Sequence, residues 1–384
     1  MNHLQKLNPL LKGFIEKGPA GCALSVNYQG EIRFENYVGL ADLKTEKPIK
    51  ADTIYRIYSM TKVVTCVAAL ILYERGHFLL NDPLEQYLPE FENPKVYRTN
   101  AKGELYITAA TSSIRVKDLF TMTSGITYDG DANETEREVR KVMASLRTDK
   151  TMNVRELSKA LAAIPLAFDP GSKWRYGLSH DVLAALIEVL SGMTFGEFLK
   201  KEIFEPLSMH DTFFTLPDEK KHRLASFYHR KEDGSLHEIT KMDFPYQPGV
   251  RFESGGAGLL STLSDYSRFA YMLANDGELD GVRILGRKTI ELMSTNHLSD
   301  EQLTCYDWDY LAGYGYGLGV RVMMNPQAGG SNSSLGEFGW SGLAGTWVLI
   351  DPKEKLSAVY MQQMLPNLEA YHQPRLRNVI YGAL

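Results

Sequence analysis

The segment Ser59-Met-Thr-Lys62-Val-Val-Thr-Cys66-Val-Ala-Ala-Leu-Ile-Leu-Tyr-Glu74-Arg-Gly76 decides how the rest of the chain is read. Its apolar residues run right round a helical repeat, the pattern of a helix buried on most sides. Gly76 supplies a left-handed terminator. Lys62 is the only charge between Arg56 and Glu74. An ammonium in such a helix is costly unless paired, and desolvation lowers its pKa. A lowered pKa suits a lysine to take a proton from a serine hydroxyl. Residues three apart on a helix are neighbours, roughly 5–6 Å between Cβ atoms, so the Ser59 hydroxyl and the Lys62 amine can meet. At a helix start, free N–H groups and the dipole favour an oxyanion formed beside Ser59. Cys66 is read as packing.

Outward from this helix the pattern changes. Residues 4–17 alternate at helical spacing until Gly18-Pro19. Cys22–Tyr28 and Ile32–Val38 read as two strands, with a hairpin at Gln29-Gly30. Near the other end, Tyr316–Met323, Thr346–Ile350 and Leu356–Gln362 read as strands, followed by a helix over the last fifteen or so residues. Helical patterns dominate from Met60 to about Glu205, and Thr194-Phe-Gly-Glu197 has capping-box form before Pro206. The economical fold is α+β. An antiparallel sheet built from both chain termini is flanked by helices and interrupted by a mainly helical region. The expected division is an α/β part at about 1–57 and 255–384, a helical part at about 58–254, and the active site between them.

Two further elements follow the helix. Asp169-Pro-Gly-Ser-Lys-Trp174-Arg-Tyr176-Gly-Leu178-Ser179 is a turn and an aromatic stretch leading into a helix that Ser179 can cap and Gly192 can end. It leaves the Tyr176 phenol on a loop. Glu337-Phe-Gly-Trp340-Ser341-Gly342-Leu343 precedes a strand, and its glycines let a substrate approach the strand edge.

Ser-x-x-Lys, a loop tyrosine and a Trp-Ser-Gly strand, in this order, resemble the serine β-lactamase and penicillin-binding protein superfamily. The resemblance is closest to class C β-lactamase-like proteins and family VIII carboxylesterases, and extends from about Cys22 to beyond Asp351. Ile54-Tyr-Arg-Ile-Tyr58, Thr121-Met-Thr-Ser-Gly125 and Gly255-Gly-Ala-Gly-Leu-Leu-Ser-Thr262 look like the same family. The resemblance implies a β-lactamase/transpeptidase-like fold and an acyl-enzyme on Ser59. Lys62 and Tyr176 share the proton transfer, with either as the base in acylation. The backbone N–H groups of Ser59 and Leu343 form the oxyanion hole, and Trp340, Ser341 and Gly342 line the cleft. Trp340 replaces a lysine that holds a substrate carboxylate in β-lactamases and transpeptidases, and Leu178 stands where related proteins carry an asparagine amide at the substrate. Both departures favour a neutral, fairly apolar ester. The leading expectation is a carboxylesterase on small or medium acyl esters. A β-lactamase, a D-amino-acid peptidase or an acyltransferase is the alternative, and an acylated sensing protein without turnover is the non-enzyme one. The substrate pocket is expected to involve the aromatic-rich loops around 128–143 and 227–252.

Composition narrows the partners. With 44% hydrophobic and 23% charged residues in 384, the chain has ample material for a core. A net charge of −5 gives no electrostatic reason for nucleic acid or an anionic membrane. The basic run Lys220-Lys221-His222-Arg223 reads as a solvated loop or helix end. Three cysteines in a large chain, with no apolar leader, suit a reducing compartment, and cytoplasm is expected. The nine histidines lack zinc-site spacing, and Asp129-Gly-Asp131-Ala-Asn133 lacks the glycine and terminal glutamate of a calcium loop. No cofactor and no metal is expected. The partner is a small-molecule ester or amide, and the sequence does not define an oligomeric state.

Overall fold

The computed structural model describes residues 2–16 and 18–384. Its largest sheet contains β1 (Gly21–Tyr28), β2 (Glu31–Asp42), β3 (Lys47–Pro48), β4 (Tyr314–Tyr316), β5 (Arg321–Met323), β6 (Phe338–Ser341), β7 (Trp347–Asp351) and β8 (Leu356–Gln362). The order across it is β4-β5-β6-β7-β8-β1-β2-β3, so strands from the two chain ends meet where Leu24 pairs with Tyr360. All of its pairings are antiparallel.

Side chains two apart share a face of a strand, which explains why these strands are apolar almost throughout. Cys22, Leu24, Val26, Trp347, Leu349, Ala358 and Tyr360 pack with Leu7, Leu11 and Phe14 of helix α1 (Leu7–Glu16), together with Leu376 and Ile380 near the C-terminus. Ala23, Val348, Ile350, Val359 and Met361 join a second core on the opposite face. Helix α2 (Thr61–Glu74) is buried continuously from Thr61 to Leu72, and Gly76 beyond it takes φ +75°. It packs against α3 (Ser179–Ser191), and α4 (Leu263–Ala274) lies against the sheet. Helix α5 (Glu369–Tyr381) closes the chain.

Several local expectations need correcting. The stretch Tyr316–Met323 is the tight hairpin β4–β5, not one strand; Gly319 takes φ +83° and Gly317 N–H bonds the Val320 carbonyl. The mainly helical middle contains a hairpin, Lys95–Thr99 with Leu105–Ala109, whose half-exposed side chains mask any strand alternation. Ser179 does not cap α3: its hydroxyl turns to Ser124 Oγ at 2.9 Å, and Leu178 is the N-cap. Thr194 and Glu197 do form the capping box. No single helix among the described residues is long and apolar enough to cross a membrane.

Candidate active site

The chain before Ser59 is pinned from several directions. Ile54–Arg56 pairs antiparallel with Leu260–Thr262. Ile57 N–H donates to the Leu259 carbonyl, and Thr346 Oγ1 donates to the Ile57 carbonyl, each at 3.2 Å. A Cβ on Gly342 would lie 2.3 Å from that same carbonyl and 2.2 Å from Thr346 Oγ1. Gly342 is therefore required by the packing of the Trp-Ser-Gly segment against the Ser59 turn, not only by substrate approach. Tyr58 takes φ +43°, an unfavourable backbone for a bulky residue that surrounding contacts must hold. Ser59 occupies the 3-10 turn Tyr58–Met60, immediately before α2.

Lys62 is completely buried. Its Nζ donates to Tyr128 Oη at 2.8 Å and to the Gly256 carbonyl at 2.7 Å, with Ser59 Oγ at 3.4 Å. These oxygens match the three donors of an ammonium. The Tyr176 ring centroid lies 4.6 Å from the same nitrogen. Burial works to lower the Lys62 pKa, but the phenols of Tyr128 and Tyr176 and the Asp181 carboxyl outweigh it, and the net direction is up. The expectation of a lowered pKa is thus reversed. An apolar helix accounts for the desolvation, whereas the oxygens that hold the proton arrive from distant loops.

Behind Lys62 lies a buried supporting layer. Asp181 Oδ1 accepts from Ser254 Oγ at 2.6 Å and from Gly256 N–H at 3.2 Å, fixing the segment whose carbonyl receives Lys62. Burial raises the Asp181 pKa. His180 Nε2 lies 3.2 Å from the Phe120 carbonyl and 3.6 Å from Cys66 Sγ. Burial and the Lys62 charge push His180 down to about 3, so it is neutral around neutral pH. Cys66 is a packing residue, as expected.

Ser59 opens into a cavity of about 720 Å³, which Tyr176, Trp340, Ser341, Gly342 and Leu343 also line. Trp340 Nε1 donates to Tyr176 Oη at 2.9 Å, and Ser341 Oγ donates to Glu369 Oε2 at 2.7 Å. Leu178 is not part of this wall: it is buried in the core with 3% of its surface exposed. A second cavity of about 690 Å³ shares Tyr176, Asp307 and Trp308 and extends past Tyr128 and Arg175. The 128–143 region contributes to this second cavity, but the 227–252 region lines neither. The segments around 307–310 and 367–370 take its place in the first. Tyr128 was expected only as part of the aromatic-rich 128–143 pocket loop and not as a partner of Lys62; Trp308, Tyr310 and Glu369 belonged to no recognised pattern. Among the described residues, no group of His, Cys, Asp and Glu is arranged to hold a metal ion.

The sequence matches the family model described as Beta-lactamase over residues 8–380. Protein Rv1367c of Mycobacterium tuberculosis is 32% identical over 362 residues, covering 92% of this chain and 88% of that protein. Esterase EstB of Burkholderia gladioli is 28% identical over 367 residues, covering 90% of this chain and 86% of its own. The solved structure of EstCE1, described as a hydrolase with promiscuous acyltransferase activity, matches with a TM-score of 0.82 at 22% identity. That match covers 99% of this chain and 98% of the other.

Proposed function

The chain belongs to the Beta-lactamase family, and from that premise we propose that it is a carboxylesterase acting on small or medium acyl esters through an acyl-enzyme on Ser59. The observation that carries this reading is the buried Lys62 ammonium, 3.4 Å from Ser59 Oγ and beneath the Tyr176 ring. Ser59 Oγ attacks the ester carbonyl. Its proton passes to Tyr176 Oη, while the Tyr176 proton moves to the departing alkoxide, so the alcohol leaves neutral. Lys62 and the Trp340 N–H stabilise the negative charge that gathers on Tyr176 Oη during this exchange. The N–H groups of Ser59 and Leu343 receive the carbonyl oxyanion. Water then attacks the acyl-Ser59 carbonyl, the same relay returns a proton to Ser59 Oγ, and the acid departs.

Replacement of water by an alcohol gives acyl transfer with the same residues. EstCE1 is described as having that activity, and the open cavity leaves room for an acceptor. The β-lactam reading has less support, because among the described residues no lysine or arginine lines the Ser59 cavity to receive a lactam carboxylate.

Hydrolysis of p-nitrophenyl butyrate by wild type and Ser59→Ala tests the proposal. We expect turnover in the wild type and a fall of at least about 10⁴-fold in the variant. Turnover surviving in Ser59→Ala removes the mechanism. Nitrocefin cleaved much faster than any ester would move the assignment to a β-lactamase.

A further inference from the structure

We propose that the Ser59 cavity selects esters carrying an ammonium cation, which deepens the esterase reading and rests on it for the chemistry. Among the described residues, the wall of this cavity carries three carboxylates, Asp307, Asp309 and Glu369, and no lysine or arginine; the Lys62 ammonium lies behind Ser59 and Tyr176, hydrogen-bonded to Tyr128 and Gly256. None of the three enters a salt bridge among the described residues. Exposed carboxylates at a rim are well solvated and contribute little. Glu369 differs from such groups. It is half-buried, and its Oε2 accepts from Ser341 Oγ at 2.7 Å and from Gln373 Nε2 at 3.2 Å. Its backbone N–H is tied to Asn367 Oδ1 at 3.1 Å. The charge is therefore held beside the segment that flanks Ser59, without a cation of its own.

The same wall carries four aromatic residues, Tyr176, Trp308, Tyr310 and Trp340, and these independently suit a cation. Trp308 and Tyr310 stack with centroids 6.0 Å apart, and Trp308 lies 6.3 Å from Trp340. Tyr176 closes the group, 5.4 Å from both tryptophans. Ring faces attract ammonium groups, most strongly where water is partly excluded, and quaternary ammonium binding by aromatic cages follows from this. A neutral apolar ester gains the rings but nothing from the carboxylates. An anionic ester meets repulsion from Glu369. A cationic ester gains both.

The test compares choline with 3,3-dimethylbutan-1-ol, its neutral isostere, by quenching of tryptophan fluorescence in the wild-type protein. Neither alcohol requires turnover, so the measurement is independent of hydrolysis. Choline is expected to bind about tenfold more tightly at low salt. In Glu369→Gln, and more fully in Glu369→Gln with Asp309→Asn, the preference should shrink towards one while the isostere still binds. Equal binding of the two alcohols by the wild type overturns the proposal, as does a preference that both variants leave intact. Butyrylcholine and 3,3-dimethylbutyl butyrate then carry the comparison into kcat/KM, with the same tenfold ratio expected. Loss of p-nitrophenyl butyrate hydrolysis with the choline preference retained would remove the esterase reading alone.

Discussion

The inner and outer walls of the Ser59 cavity are built to opposite specifications. On the inner side, Lys62, Asp181 and His180 are almost fully buried, and hydrogen bonds run from Lys62 through Gly256 to Asp181. On the outer side, Trp308, Tyr310 and Glu369 lie half-open to solvent, and among the described residues Glu369 forms no salt bridge. A lost partner in the buried layer leaves an unpaired polar group in a low-dielectric setting, which is costly. A changed side chain at the rim is rehydrated instead. The contrast teaches that the reaction and the choice of substrate are separable: inner-wall changes should damage turnover of every ester, and outer-wall changes should alter the ranking among esters.

The largest expected effect beyond Ser59 itself breaks the inner wall. Lys62→Met keeps the bulk of the aliphatic stem and removes the ammonium, leaving the Asp181 carboxyl without a nearby cation. We expect kcat/KM for p-nitrophenyl butyrate to fall about 10³-fold, with helical content by circular dichroism retained. A loss below tenfold would mean that the charge is not what activates Ser59. Gly342→Ala tests how the walls are joined. Its Cβ must displace the Ile57 carbonyl or Thr346, moving the Trp340–Leu343 segment away from the Ser59 turn. A shift near 1 Å costs about 10²-fold in rate, and steady-state kinetics should find the loss mainly in kcat.

The two walls also differ in how far the sequence disclosed them. The inner wall rests on local pattern: a lysine three residues after a serine, inside an apolar helix, makes Ser59 and Lys62 candidates, and with the Tyr176 loop and the Trp340-Ser-Gly strand in order it leads to the Beta-lactamase family. The sheet was legible for a similar reason, since Gly21–Tyr28 and Leu356–Gln362 are buried against a core on each face and so read as nearly continuous apolar strands at both chain ends. The direction of the Lys62 pKa was not legible, because Tyr128 and Gly256 approach it from 66 and 194 residues away. The outer wall left even less trace. Trp340 was expected from the Trp-Ser-Gly strand, but Trp308, Tyr310 and Glu369 come from separate loops or element ends with no shared period, and only the folded chain brings them together. Leu178 was misplaced because a motif position was read without its burial.

Tyr128 sharpens the boundary between the walls, since it lines the second cavity yet bonds Lys62. Tyr128→Phe removes one of the oxygens that raise the Lys62 pKa. The expected cost is about tenfold in kcat/KM, equivalent to roughly 1.4 kcal/mol for a lost hydrogen bond to a charge. A purely structural role would leave the pH profile in place. An inner-wall role moves its alkaline limb to lower pH, because Lys62 then loses its proton more easily. A pH–rate series on the variant decides between them.

The smallest effect concerns stability alone and comes from His180. Its ordinary value of 6.5 falls to about 3 in the fold, through burial first and the Lys62 charge second. The unfolded chain therefore binds a proton that the folded chain refuses. This contribution is fully present above about pH 6.5 and is lost as pH falls towards 3. Between pH 6.5 and 5.5 the loss is about 1 kcal/mol. His180→Leu removes the titrating ring and leaves the Phe120 carbonyl without its donor, so it should be less stable than wild type at pH 7. The gap should narrow by that same amount at pH 5.5 in urea denaturation. A gap that stays constant would mean that His180 accepts its proton inside the fold, and that the layer behind Lys62 is wetter than its burial implies.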